Sequence, residues 1–291
     1  MSDASESGWL ARVPIVGSRL ADRIERTPTV AVLRLNGVIG QLGPVRRGGL
    51  VLADLAGPIE KAFKLPRVKA VAFSVNSPGG SPVQSGLIAG RIRALAAENE
   101  VPVYAFCEDV AASGGYWLAC AADEIYADGA SIVGSIGVIS ASFGFPQVLA
   151  KLGIERRVYS AGERKAQLDP FLPEDEKDVR HLKELQRDLH AQFIDYVRAS
   201  RRDRLKGDEQ ALFSGDFWSG RKALELGLID GIADLRGKMR EKFGDKVKLR
   251  VVSPQKSWLQ RRFGLDGRAP HWSHDLVGAL DERALWARYG L

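Results

Sequence analysis

Ser113, in Val110-Ala-Ala-Ser-Gly-Gly-Tyr116, and Lys165, 52 positions later in Gly162-Glu-Arg-Lys-Ala-Gln-Leu-Asp-Pro-Phe171, are the residues of this chain best suited to chemistry. A serine nucleophile needs a base, and no histidine occurs before His181. Lysine can take that proton once its amine is neutral, which burial can bring about. A lysine acting near neutral pH must come down by about three units from its ordinary 10.4 or so, roughly 4 kcal/mol of environment. The pairing predicts a serine hydrolase with a Ser–Lys dyad, a known variant of the serine triad. Ser135, in Val133-Gly-Ser-Ile-Gly137, is the candidate hydroxyl that holds the neutral amine in place.

A nucleophile also needs donors for the developing oxyanion. Asn76-Ser-Pro-Gly-Gly-Ser81 follows an apolar strand-like run; Pro78 and Gly79 suit the centre of a type II turn, leaving the Gly80 amide exposed. Ser113 sits at a second strand-to-helix turn, and the Gly114 amide is the other expected donor. Gly114 and Gly115 cost helix stability but let a substrate approach the backbone closely. The histidines compete poorly: His181 and His190 fall on a long helix, His271 and His274 in the tail, with surface or packing roles expected.

The elements that position these groups alternate. Val30–Leu35, Val68–Val75 and Val101–Phe106 read as buried strands, and 50–64 and 83–98 as helices. Ser81, Pro82 and Gln84 supply an N-cap, a first-turn proline and a capping-box partner for the second helix. Residues 116–122 read as a short helix after Ser113. Glu124–Ala127, Ile136–Ser140, Arg156–Tyr159 and Lys246–Val252 read as further strands. Val179, Leu182, Leu185, Leu189, Phe193 and Val197 mark one face of a helix over 174–202. This alternation is an α/β architecture with helices covering a sheet.

Four motifs in register (Asn-Ser-Pro-Gly-Gly-Ser, Ala-Ser-Gly-Gly-Tyr-Trp, Gly-Ser-Ile-Gly-Val and Arg-Lys-Ala-Gln-Leu-Asp-Pro-Phe) resemble the signal peptide peptidase A (protease IV) and SohB family. The resemblance implies a Clp-protease/crotonase-like fold with Ser113 as nucleophile and Lys165 as general base. It implies that Ser135 orients the lysine and that the Gly80 and Gly114 amides form the oxyanion hole. It further implies a homo-oligomer enclosing a cavity, and cleavage of peptides beside small or aliphatic side chains. No metal or organic cofactor is required. A crotonase-type enzyme on acyl-CoA and a catalytically inactive scaffold of the same fold are the alternatives.

The 291 residues divide into an N-terminal appendage (1–28), a peptidase domain (29–252) and a tail (253–291). The appendage's scattered charges leave no apolar core for a signal peptide, and no membrane anchor is read there, although family members usually carry one. The uncharged stretch 129–150 is broken by serines, glycines and Pro146, and reads as buried strand and loop around the site. A cytoplasmic protein is expected, with any peripheral membrane contact at the inner face. The net charge is +6. Its richest stretch, Arg236–Arg250, suits a solvated face or anionic headgroups, and no aromatic-and-basic stripe for nucleic acid is visible. Cys107 and Cys120 fall in apolar segments and read as small buried hydrophobes. Trp258, Trp272 and Trp286 with nearby arginines mark the tail as a contact surface for its own domain, a second copy or a membrane.

Overall fold

The computed structural model of the chain describes residues 27–41, 49–253 and 282–291. Trp258, Trp272, His271, His274 and most of the N-terminal appendage lie outside them. Eight strands form one sheet: β1 (Thr29–Asn36), β2 (Val68–Ser77), β3 (Val103–Ala112), β4 (Glu124–Ala127), β5 (Ile132–Gly134), β6 (Phe217–Ser219), β7 (Gly231–Ile232) and β8 (Lys248–Val252). The main path runs β6-β5-β3-β2-β1-β8, with β4 beside β3 and β7 beside β4. Every pairing is parallel except β5 with β6. The arrangement is mixed α/β with a mostly parallel sheet covered by helices, as the alternation of elements predicts.

Among the described residues the helices include α1 (Leu52–Phe63), α2 (Pro82–Asn99), α3 (Gly114–Ala119), α4 (Pro146–Lys151), α5 (Glu176–Arg201), α6 (Glu209–Leu212), α7 (Gly220–Glu225) and α8 (Leu235–Phe243), with a short helical run over 282–287 in the tail. β2 is buried on both faces, so it reads as a continuous apolar run rather than an alternating one. Strand period two still sorts its residues: Val71, Phe73 and Val75 enter the main core. Ala70 and Ala72 face a second cluster with Tyr104, Phe106, Tyr126 and Met239 of α8.

Several local expectations hold and several are corrected. Ser81 caps α2 by accepting the Gln84 amide, and Pro82 opens it. Gln84 does not close a capping box, because the Ser81 amide already donates to Ile39. Its side chain instead accepts the Leu52 amide at the start of α1, tying the two helices together. α3 begins at Gly114, two residues before the predicted start. The strand expected over 136–140 lies at 132–134. Gly134 (φ +114°) and Ser135 (φ +53°) both leave extended conformation and end it there. Residues 156–159 form no strand.

Beyond residue 137 the predicted buried loop is an exposed arm, 138–175, whose one helix is α4. It presents Ile139, Phe143, Val148, Leu152 and Tyr159 to solvent, with Phe143 80% and Tyr159 90% exposed. In the tail, Trp286 and Tyr289 pack on Val110, Ala112 and Ile132 of the same chain. Cys107 and Cys120 are free and buried, and burial pushes the Cys120 thiol up to about 12. Among the described residues no helix is long and apolar enough to cross a membrane.

Candidate active site

The site forms where neighbouring parallel strands end at their carboxyl edges, the usual location of ligands in α/β sheets. β3 forks: Tyr104–Cys107 pair with β4, while Val110–Ala112 pair with β5. Exposed Glu108 and Asp109 fill the gap at the fork. Asn76 braces the second prong by accepting the Val110 amide and donating to the Asp109 carboxylate. The strand therefore delivers Ser113 one residue beyond the pair Ala112↔Gly134.

Ser113 has φ +53° and ψ −123°, an unfavourable conformation for a residue with a Cβ. Its amide donates to the Gly134 carbonyl at 2.8 Å, and its carbonyl accepts the Trp117 amide at 3.0 Å. The backbone is thus clamped while the half-buried hydroxyl makes no hydrogen bond among the described residues. Ser135, 6% exposed, stands one residue past the other member of the same pair. The two hydroxyl-bearing residues are therefore neighbours across the β3–β5 ladder, and both have φ +53°.

The turn after β2 closes the other side. Gly79 has φ +102°, as the third position of a type II turn requires. A Cβ there would meet Ser113 Cβ at 2.7 Å and the Gly114 nitrogen at 2.9 Å. Ile39 bridges the turn: its amide donates to Gly79 and its carbonyl accepts from Ser81. That pattern turns the Gly80 N–H away from Ile39. Neither the Gly80 amide nor the Gly114 amide, at the head of α3, is engaged in a hydrogen bond among the described residues. Two free donors beside a free hydroxyl are the components of an oxyanion hole and a nucleophile.

The glycines after Ser113 have a tighter reason than substrate access. A Cβ on Gly114 would lie 2.5 Å from the Ser85 Oγ, and one on Gly115 would lie 2.5 Å from the Ser77 carbonyl oxygen. They let α3 press against the end of β2 and the first turn of α2. Ile39 and Ser85 are site-building residues that the sequence does not single out, and Gly79 is legible only as a turn residue. Only Gly79 carried a local signal, in Pro-Gly-Gly.

Lys165 lies apart from this group. It is on the exposed arm, and its ammonium has neither hydrogen-bond nor ion-pair partner among the described residues. The loop around it is nonetheless well held. Asp178 of α5 accepts the Leu168 amide at 3.3 Å and faces Arg164 at 3.4 Å, bracketing Lys165 on both sides. Arg156 pairs with Asp169 at 2.6 Å and lies over the Phe171 ring, which stacks on Phe145. The structure thus brings Ser113, Ser135, Gly80 and Gly114 together within one chain and presents Lys165 on a braced, outward-facing loop. Among the described residues no cluster could hold a metal ion.

With this geometry in hand, the chain can be set beside known proteins. The sequence profile of peptidase family S49 matches residues 96–246. The Na(+)/H(+) antiporter NhaA of Brucella abortus is 52% identical over 272 residues, 90% of this chain and 37% of that protein. The chloroplastic serine protease SPPA of Arabidopsis thaliana is 32% identical over 217 residues, covering 71% of this chain and 31% of its own length. Protease 4 of Haemophilus influenzae is 32% identical over 221 residues, 74% of this chain and 35% of that protein. The chain therefore spans about a third of the length of these relatives. A solved structure of the 1510-N membrane-bound stomatin-specific protease overlays with a TM-score of 0.46 at 14% identity, covering 79% of this chain and 99% of that one. That last likeness is too loose to add to the argument. The profile match includes Ser113, Ser135 and Lys165 and covers more than half of the sequence: the chain belongs to peptidase family S49, alongside signal peptide peptidase A, protease IV and SohB.

Proposed function

We propose that this chain is a serine endopeptidase whose Ser113 attacks small or aliphatic peptide segments and whose general base, Lys165, is supplied by a neighbouring copy of the same chain. The observation that carries the reading is the free Ser113 hydroxyl, held on a clamped backbone beside the unengaged Gly80 and Gly114 amides. The neighbouring copy follows from the arm. Within one chain Lys165 faces outward beside uncovered apolar groups, and packing arms against a second copy would bury both. Burial is also what a neutral lysine amine requires. Ser135 is placed to hold that amine once it arrives.

In the proposed reaction Lys165 takes the Ser113 proton as the oxygen bonds to the peptide carbonyl carbon. The oxyanion is held by the two glycine amides, and the lysine ammonium returns the proton to the departing amine as the C–N bond breaks. Water, deprotonated by Lys165, then attacks the acyl-enzyme and releases Ser113. No step calls for a cofactor.

Initial rates on an internally quenched aliphatic peptide test the reading. Ser113→Ala and Lys165→Ala should each reduce hydrolysis to background. Variants as active as the parent would sink it. Saturable binding of coenzyme A would favour the crotonase-type alternative.

A further inference from the structure

We propose that His190 is a positioning residue for acyl transfer, holding the Ser135 turn in register with Ser113. The proposal rests on Ser113 being the nucleophile. The sequence assigns His190 only a surface or packing role on the long helix. The structure gives it a specific partner: its Nε2 lies 3.0 Å from the Ile136 carbonyl oxygen, one residue after Ser135. A carbonyl only accepts, so the contact fixes Nε2 as the protonated nitrogen.

Besides the Gly137 amide, which closes on the Ser135 carbonyl at 3.0 Å, three ties to other segments hold this turn in an uncommon shape. The Ser113 amide donates to Gly134, the Ser135 amide donates to Asp216 at 2.6 Å, and His190 donates to Ile136. The turn needs them because Gly134 and Ser135 are both at positive φ, and serine there is strained. Of the three, only the His190 tie is made by a side chain. Without it the Ile136 carbonyl has no hydrogen-bond donor among the described residues. The turn can then relax toward ordinary φ, carrying the Ser135 hydroxyl and the Gly134 acceptor away from Ser113.

The helix that carries His190 also grips the nucleophile's side of the site. Phe193 and Tyr196 both stack on Trp117 of α3, with ring centroids 4.7 and 5.0 Å away. His190 and Phe193 are three residues apart and share a helix face. One rigid helix therefore fixes both the segment that follows Ser113 and the turn that carries Ser135. Removing the imidazole leaves the aromatic stack intact, so the fold should survive while the registration is lost.

The test uses the full chain, with His190→Ala and His190→Gln. Three quantities are measured: kcat and KM on the quenched peptide, the rate of Ser113 labelling by a fluorophosphonate probe, and the thermal midpoint. His190→Ala should lower kcat and the labelling rate about tenfold while leaving KM within about twofold. The midpoint should stay close to that of the parent. His190→Gln, whose side-chain amide can donate to the same carbonyl, should recover most of the loss. An unchanged kcat in His190→Ala, or a His190→Gln variant no better than it, overturns the proposal. A parent that hydrolyses the peptide without labelling at Ser113 overturns the nucleophile reading instead, and that failure shows in the parent alone.

Discussion

If the base comes from a second copy, two dead variants should rescue one another. Ser113→Ala keeps the lysine and loses the nucleophile; Lys165→Ala does the reverse. Along α5, Asp178 (which brackets the Lys165 loop) and His190 (which holds the Ser135 turn) are twelve residues apart, about 18 Å of helix rise. A lysine side chain reaches roughly 6 Å, so the loop and the nucleophile of one chain are not natural partners. In particles refolded from an equal mixture, half of the serines are intact, and half of those face a neighbour with its lysine. Head-to-tail pairing with random mixing therefore predicts about a quarter of the parent rate per subunit. A base from the same chain predicts none, because every intact serine then sits in a chain lacking Lys165. The assay is the initial rate on the quenched peptide, with native mass spectrometry confirming mixed particles. Mixed particles no faster than the sum of the two variants would refute the reasoning.

Three further outcomes follow from the geometry. Gly79→Ala puts a methyl 2.7 Å from Ser113 Cβ at φ +102°, and should cost about 1–3 kcal/mol of stability in urea unfolding and drop peptide hydrolysis at least a hundredfold. Gly90→Ala, on α2 with open space around it, should gain about 0.5–1 kcal/mol and leave activity alone; equal effects from the two would remove the steric argument. Burial pushes the Asp230 carboxyl up, but Arg201, the Ile125 amide and Arg204 outweigh it and hold the group below its ordinary value. A depressed carboxyl stabilises the fold above its unfolded value, about 3.9, and the gain is lost as pH falls through the folded one. Asp230→Asn strands the fully buried Arg201 and should cost about 3–5 kcal/mol at pH 7. It should also flatten the fall in stability below pH 4, read as urea midpoints across pH; a variant matching the parent at every pH would refute the pair's role.

What could be read from the sequence divides along a physical line. Ser113, Gly80 and Gly114 depend on local chemistry, namely a strand that ends, a turn that needs glycine and a helix that begins. Each of those signals is contained in a motif of six or seven residues, 76–81 or 110–116. Ser135 was legible as a residue but not in its setting: Ile136-Gly-Val-Ile-Ser140 has the β-branched composition of a strand. Nothing in that composition reports that two consecutive positive φ angles end β5 before it. The arm was misread for a related reason. Its apolar content argues for burial, which is correct for a side chain that must leave water, but composition does not say whose surface covers it. Phe143 and Tyr159, 80% and 90% exposed, satisfy their hydrophobicity only against something outside the single chain, and the base role proposed for Lys165 needs the same cover. The sequence pairs two residues 52 positions apart but does not say whether they meet within one chain. In the fold Ser113 stands just past the end of β3, while the Asp178 and Asp169 ties hold Lys165 on the exposed arm. A residue whose chemistry depends on being desolvated, yet which its own chain leaves in water, is best explained by a site completed between chains.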